Sequence, residues 1–101
     1  MKDRIMTGTT RSSDGLDPQR KKLLYRCWHR GTREMDLILG GFADAHIGDL
    51  SEGELVQLDL LLDAADADLY SAIAADAPAP VPNANALFIR IKTFQSERDS
   101  L

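Results

Sequence analysis

The stretch LLYRCWHRGTREMDLILGGFA, residues 23–43, decides the fold. On its N-terminal side Leu23, Leu24, Cys27 and Trp28 recur at i, i+1, i+4 and i+5, which makes one apolar stripe on a helix. On its C-terminal side Met35, Ile38, Leu39 and Phe42 recur at spacings of three and four, a second stripe. Between the two, HRGTREMD, residues 29–36, gathers His29, Arg30, Arg33, Glu34 and Asp36 around Gly31. A glycine there ends or sharply bends the first helix. Two helices joined at Gly31 are therefore the first expectation.

Working outward, Asp17-Pro18 supplies a helix start, with Asp17 as N-cap and Pro18 at the first helical position. Arg20, Lys21, Lys22, Arg26 and Arg30 occupy the rest of that helix. Residues 1–16 are rich in Gly, Ser and Thr without periodicity, and read as a disordered tail. The second helix is expected from about Thr32 to Ala45. Within it Gly40-Gly41 costs up to ~1 kcal/mol per glycine relative to alanine, which points to fraying or to close approach by another helix. DAHIGDL, residues 44–50, reads as a loop.

A capping box, Ser51 with Glu54, opens a third helix. Leu55, Leu58, Leu61 and Leu62 form its apolar face, opposite Gln57, Asp59 and Asp63. Asp66 is expected to cap a short fourth helix carrying Leu69, Tyr70 and Ile73. APAPVPN, residues 77–83, has three prolines at alternate positions and reads as an extended linker. The last helix, about Ala84 to Glu97, points Leu87, Phe88, Ile91 and Phe94 one way. No stretch alternates with period two and β-branched residues are sparse. The expectation is an all-α, compact bundle of five short helices, one domain over 17–98 behind the tail at 1–16.

Bulk properties bound the function. A chain of 101 residues buries somewhat over ~60% of the surface its unfolded form exposes, which leaves little room for both a core and a deep enzyme pocket. No window approaches the roughly 18 uninterrupted apolar residues of a membrane span, and no apolar signal-peptide core is present. Asp3, Asp14 and Asp17 argue against a mitochondrial presequence. A single cysteine, Cys27, excludes a disulfide framework and suits a reducing compartment. The expected setting is a bacterial cytoplasm, away from any membrane.

The net charge of −4 is unevenly distributed. Residues 1–34 hold nine Lys/Arg against four Asp/Glu, a net +5; residues 35–101 hold three against twelve, a net −9. A basic head on an acidic body steers toward an acidic partner or toward phosphate, or it is simply a solvated face.

Candidate chemistry is thin. Cys27 and His29 lie two apart and point to different faces of a helix, so they make a poor ligand pair. Asp44, His46 and Asp49 would be a weak mixed metal site without a second cluster. Cys27 sits on the apolar face, where thiols are inert packing. Gly40-Gly41 lacks the strand and spacing of a phosphate loop. A helix-turn-helix is the nearest nucleic-acid reading, yet REMDLILGG is acidic and apolar where base-reading side chains belong. No catalytic residues, no metal and no nucleic-acid partner are assigned.

Capping uses part of HRGTREMD: Gly31 takes a φ other residues resist, and Glu34 can accept from orphan amides and favour the helix dipole. Arg30, Arg33 and Asp36 are left without a capping task. Glu34 and Asp36, two apart, splay to different sides, which argues against paired acid–base work. The arginines suit a docking patch that makes charge-assisted, bidentate contacts.

These residues resemble the FAD assembly factor SdhE family, also called succinate dehydrogenase assembly factor 2. Arg30, Gly31 and Glu34 are similar to its Arg-Gly-x-x-Glu signature, followed by Met35-Asp36 as the hydrophobic-Asp pair. LSEGELVQLDLLL and DADLYSAI resemble the family's third-helix and fourth-helix segments, and the likeness spans about residues 20–98. One position departs: Ala72 stands where family members often carry a tryptophan.

The resemblance implies a helical protein that binds the flavoprotein subunit of succinate dehydrogenase or fumarate reductase and promotes its covalent FAD attachment. A client histidine would become bonded to the flavin 8-methyl carbon. The chain would hold no cofactor stably itself, would carry no enzyme activity, and would be a monomer when free. Arg30, Gly31 and Glu34, with His29, Arg33 and Asp36 beside them, would form the client-binding surface. Apart from the resemblance, a small regulatory interaction module, antitoxin-like in kind, fits the same composition.

Overall fold

In the computed structural model, residues 15–99 are described. Five α-helices account for most of them: α1 Pro18–Trp28, α2 Arg33–His46, α3 Glu52–Leu62, α4 Asp66–Ala74 and α5 Asn85–Asp99. A single 3₁₀ turn, Pro82–Ala84, precedes α5, and no strand occurs among the described residues. The all-α expectation is met. The expected tail lies outside the described residues except for Gly15 and Leu16. The helices gather into two compact units, divided between Asp49 and Leu50.

The first unit is the α1–α2 pair. Asp17 caps α1 as expected, accepting from the Arg20 amide at 3.2 Å. Arg20 pairs with Asp17 at 2.8 Å and donates through Nε to the Ile47 carbonyl at 3.0 Å, tying the start of α1 to the end of α2. Leu23, Leu24, Cys27 and Trp28 of α1 are buried, as are Met35, Ile38, Leu39, Phe42 and Ala43 of α2. At Gly40 the two helices come close. A Cβ built there would lie 2.3–2.6 Å from the Trp28 indole. Of the two expectations for the glycine pair, close approach by another helix is therefore the one realised at Gly40. Trp28 Nε1 also donates to Asp44 Oδ1 at 3.0 Å, so the buried indole keeps a partner.

DAHIGDL is only partly a loop, because α2 runs through His46 and the turn is confined to residues 47–49. Asp44 and His46 are held on the helix, Asp44 by the Trp28 bond and His46 by its ring against Phe42 at 5.0 Å.

The second unit contains α3, α4 and α5. The capping box forms in full: Ser51 Oγ accepts from the Glu54 amide at 3.2 Å, and Glu54 Oε1 accepts from the Ser51 amide at 2.9 Å. Leu55, Leu58, Leu61 and Leu62 are buried, together with Leu69, Ala72, Ala84, Leu87, Phe88 and Ile91. Gln57, assigned by pattern to the polar face, is half-buried and its Oε1 accepts the Leu87 amide at 2.9 Å, satisfying an orphan donor at the start of α5.

Three local expectations change. Asp66 is the first residue of α4 rather than its cap; Ala65 stands at that position without a side-chain bond. Tyr70 is exposed and Phe94 only half-buried, whereas Ala72 is buried. The last proline of APAPVPN starts the 3₁₀ turn, so the extended stretch stops at Val81. Lys92 Nζ holds that stretch by donating to the Ala77 carbonyl at 2.8 Å.

Candidate functional site

HRGT, residues 29–32, connects α1 to α2, and REMD forms the first turn of α2. His29 is the C-cap of α1, and its backbone amide donates to the Arg26 carbonyl. Its ring lies against Tyr25, centroids 3.8 Å apart and planes within 17°. His29 Nδ1 is 2.7 Å from the Tyr25 carbonyl oxygen. A carbonyl only accepts, so Nδ1 carries the hydrogen and the ring caps one of the orphan carbonyls of the helix end. Nε2 is left as the ring's other polar atom.

Gly31 adopts φ +100°, a backbone that side chains resist. Space is not the reason, since nothing lies within 4 Å of where its Cβ would be. The constraint is conformational, and the surface over Gly31 is open.

The division of labour among the charged residues differs from the capping reading made from sequence. Thr32, not Glu34, caps α2, its Oγ1 accepting from the Met35 amide at 3.4 Å. Asp36, half-buried, reaches back across the turn so that Oδ1 accepts the Arg30 amide at 2.7 Å. Asp36, which had no structural task in the pattern, thus locks the glycine turn. Glu34 is relieved of amide capping and is exposed on the first turn of α2, next to exposed Arg33. Its remaining structural contribution is the favourable position of a carboxylate near a helix N-terminus.

The six candidate residues therefore sit on the α1–α2 connection and the first turn of α2, in two groups. Asp36 and the backbone of Arg30 and Gly31 build the turn, while His29, Arg33 and Glu34 present exposed side chains on it. Two residues were missed by pattern. Thr32 had an ordinary signal, a β-hydroxyl residue immediately before an apolar-periodic segment. Tyr25 had a weaker one, the aromatic spacing i, i+4 to His29.

Cys27 is fully buried, and burial pushes its thiol up to about 12 against the opposing pull of the Arg30 and Arg26 charges. A thiol held neutral this far is no nucleophile at physiological pH. Among the described residues, no three His, Cys, Asp or Glu side chains come together to hold a metal ion, and no helix is long and apolar enough to cross a membrane.

Comparison with known proteins gives a consistent family. Residues 21–95 match the family described as the flavinator of succinate dehydrogenase. The chain is 30% identical over 80 residues to the FAD assembly factor SdhE of Acetobacter pasteurianus, covering 79% of this chain and 73% of that protein. It is 40% identical over 60 residues to the mitochondrial succinate dehydrogenase assembly factor 2 of Saccharomyces cerevisiae, covering 59% of this chain and 37% of that one. The corresponding Dictyostelium discoideum protein is 42% identical over 65 residues, with 64% and 46% covered. The chain thus spans well under half the length of the yeast relative and just under half that of the Dictyostelium one. No solved structure matches.

Proposed function

Because the chain belongs to the flavinator of succinate dehydrogenase family, we propose that it binds the flavoprotein subunit of succinate dehydrogenase, or of fumarate reductase, and promotes covalent attachment of FAD to it. The reacting groups are the client's histidine and the flavin 8-methyl carbon. Neither belongs to this chain, which holds no FAD of its own once the client has it. The contribution of the chain is to favour a client conformation in which those two groups are aligned, a gain in proximity rather than a chemical step.

The observation that carries the reading is the exposure of Glu34 and Arg33 beside an open Gly31, where Asp36 accepts the Arg30 amide and Thr32 accepts the Met35 amide. Two charged side chains on a locked backbone are pre-organised for polar and bidentate contacts with a partner. The open glycine lets a partner's backbone come close.

The test mixes the chain with the apo-flavoprotein subunit and FAD and follows covalent flavin by in-gel fluorescence. Wild type is expected to accelerate labelling and Glu34→Ala to lose most of that acceleration while staying folded. Flavinylation at the wild-type rate by folded Glu34→Ala would remove Glu34 from the docking edge.

A further inference from the structure

The outward side of α1 carries a feature that shares only His29 with the docking edge. Pro18, Lys22, Tyr25 and His29 fall on one side of a helix of about 3.6 residues per turn, with Lys21 at its margin, and all five are exposed. Tyr25 is the most exposed large apolar side chain among the described residues, at 63%. Yet it is held in place: its ring stacks on His29, and His29 is held in turn by the Tyr25 carbonyl. A fixed, exposed aromatic pair loses little conformational entropy on binding, and tyrosine is enriched among interface hot spots.

The charge beside it has one sign. The first turn of α1 holds no acidic residue, and Asp17, at its cap, is engaged with Arg20, whose side-chain hydrogen bond keeps the Asp17 carboxyl below its usual range. Lys21 and Lys22 form no ion pair among the described residues. The ridge ends at His29, the C-cap of α1 and two residues before Gly31, so it runs up to the same turn.

We infer that the Lys21–Lys22–Tyr25–His29 ridge is a second contact of the same surface. Its occupant is a carboxylate-bearing segment of the flavoprotein client, which lays an apolar side chain on the Tyr25 ring and its acidic groups on the two lysines. The inference rests on the docking reading above and adds to it the chemistry of the client segment. The lysines supply steering and salt dependence, and the ring supplies desolvated contact area.

The test is the affinity of the full chain for the apo-flavoprotein subunit, measured by titration calorimetry at low and high salt, with helicity and melting checked for each variant. Tyr25→Ala is expected to weaken binding about tenfold or more with unchanged melting, and Tyr25→Phe to bind like wild type. Lys21→Glu with Lys22→Glu is expected to weaken binding at low salt and flatten its salt dependence. If Glu34→Ala weakens binding while the Tyr25 and lysine variants bind within about twofold of wild type, the ridge is no contact and the docking edge stands alone. If wild type fails to bind the client, both readings fall. Lysine variants that lose salt-dependent duplex DNA retention but keep full client affinity would assign the ridge to nucleic acid and overturn the inference.

Discussion

Asp36 and Glu34 lie two residues apart in the same helical turn and do different things. Asp36 accepts the Arg30 amide at 2.7 Å from a half-buried position. Removing it leaves a part-buried donor unpaired, at a cost of about 1–3 kcal/mol. Glu34, exposed, contributes its charge to the N-terminus of α2, about 0.3–1 kcal/mol. Urea denaturation of Asp36→Ala and Glu34→Ala should therefore show the larger loss at Asp36, while client flavinylation should fall with Glu34→Ala at nearly full stability. The reverse order would return the cap to Glu34. Gly31 was legible in sequence because only glycine tolerates its φ. Asp36 was not, since a carboxylate reaching back six residues across a turn follows no spacing rule. Thr32 was passed over because Glu34 stood ready to be read as the cap.

Among the elements, α1 and α2 meet where the Trp28 indole lies over Gly40. With a Cβ at position 40 falling 2.3–2.6 Å from the indole, Gly40→Ala has to push the two helices apart or displace Trp28. Overpacking of this kind costs about 1–3 kcal/mol, against the ~1 kcal/mol alanine gains in helix propensity. A net loss of melting temperature is expected; a gain would mean the helices relax freely there. At the start of α3, the Ser51 amide bond is the main cause holding the Glu54 carboxyl below its usual range, and burial opposes it. Arg90 pairs with the same carboxylate and acts in the same direction. A depressed native pKa stabilises the fold fully above the unfolded value of about 4.3 and loses that contribution as pH falls through the lower native value. Glu54→Gln should therefore lower stability at neutral pH and flatten the acid limb of a pH–stability curve. Equal acid limbs for both proteins would remove Glu54 from the linkage.

Helix existence and the leucine face of α3 were readable because 3.6-residue periodicity and a capping box agree with each other. What pattern missed at this scale was the identity of packed positions on short helices. Tyr70 stands among the apolar residues of the fourth helix and Ala72 only as a departure from the family pattern, yet in α4 the alanine is buried and the tyrosine exposed. On a helix of nine residues, one apolar residue more or less moves the apparent face. Gln57 was placed outward by polarity, because sequence carries no sign that the Leu87 amide would need an acceptor.

Across the whole chain, the sequence assigned charge more readily than chemistry. The net +5 of residues 1–34 includes the arginines of the docking turn and the lysines of the α1 ridge, so the basic head and the proposed binding surface coincide. Its one cysteine tells the opposite story. Cys27 is fully buried with its thiol raised to about 12, and should react with a thiol reagent only as fast as the first unit opens. Labelling at the rate of a free thiol in native buffer would contradict that burial.

The chain's only tryptophan is the one seated on Gly40 and bonded to Asp44. Its fluorescence consequently reports on the packing of the α1–α2 unit. Emission should shift to the red when that unit melts, whereas far-ultraviolet dichroism sums every helix. Overlaying the two curves along one denaturant series would tell whether the chain has one cooperative transition or two. The same indole, a few residues from the proposed docking turn, would give a label-free readout for titrating the proposed client.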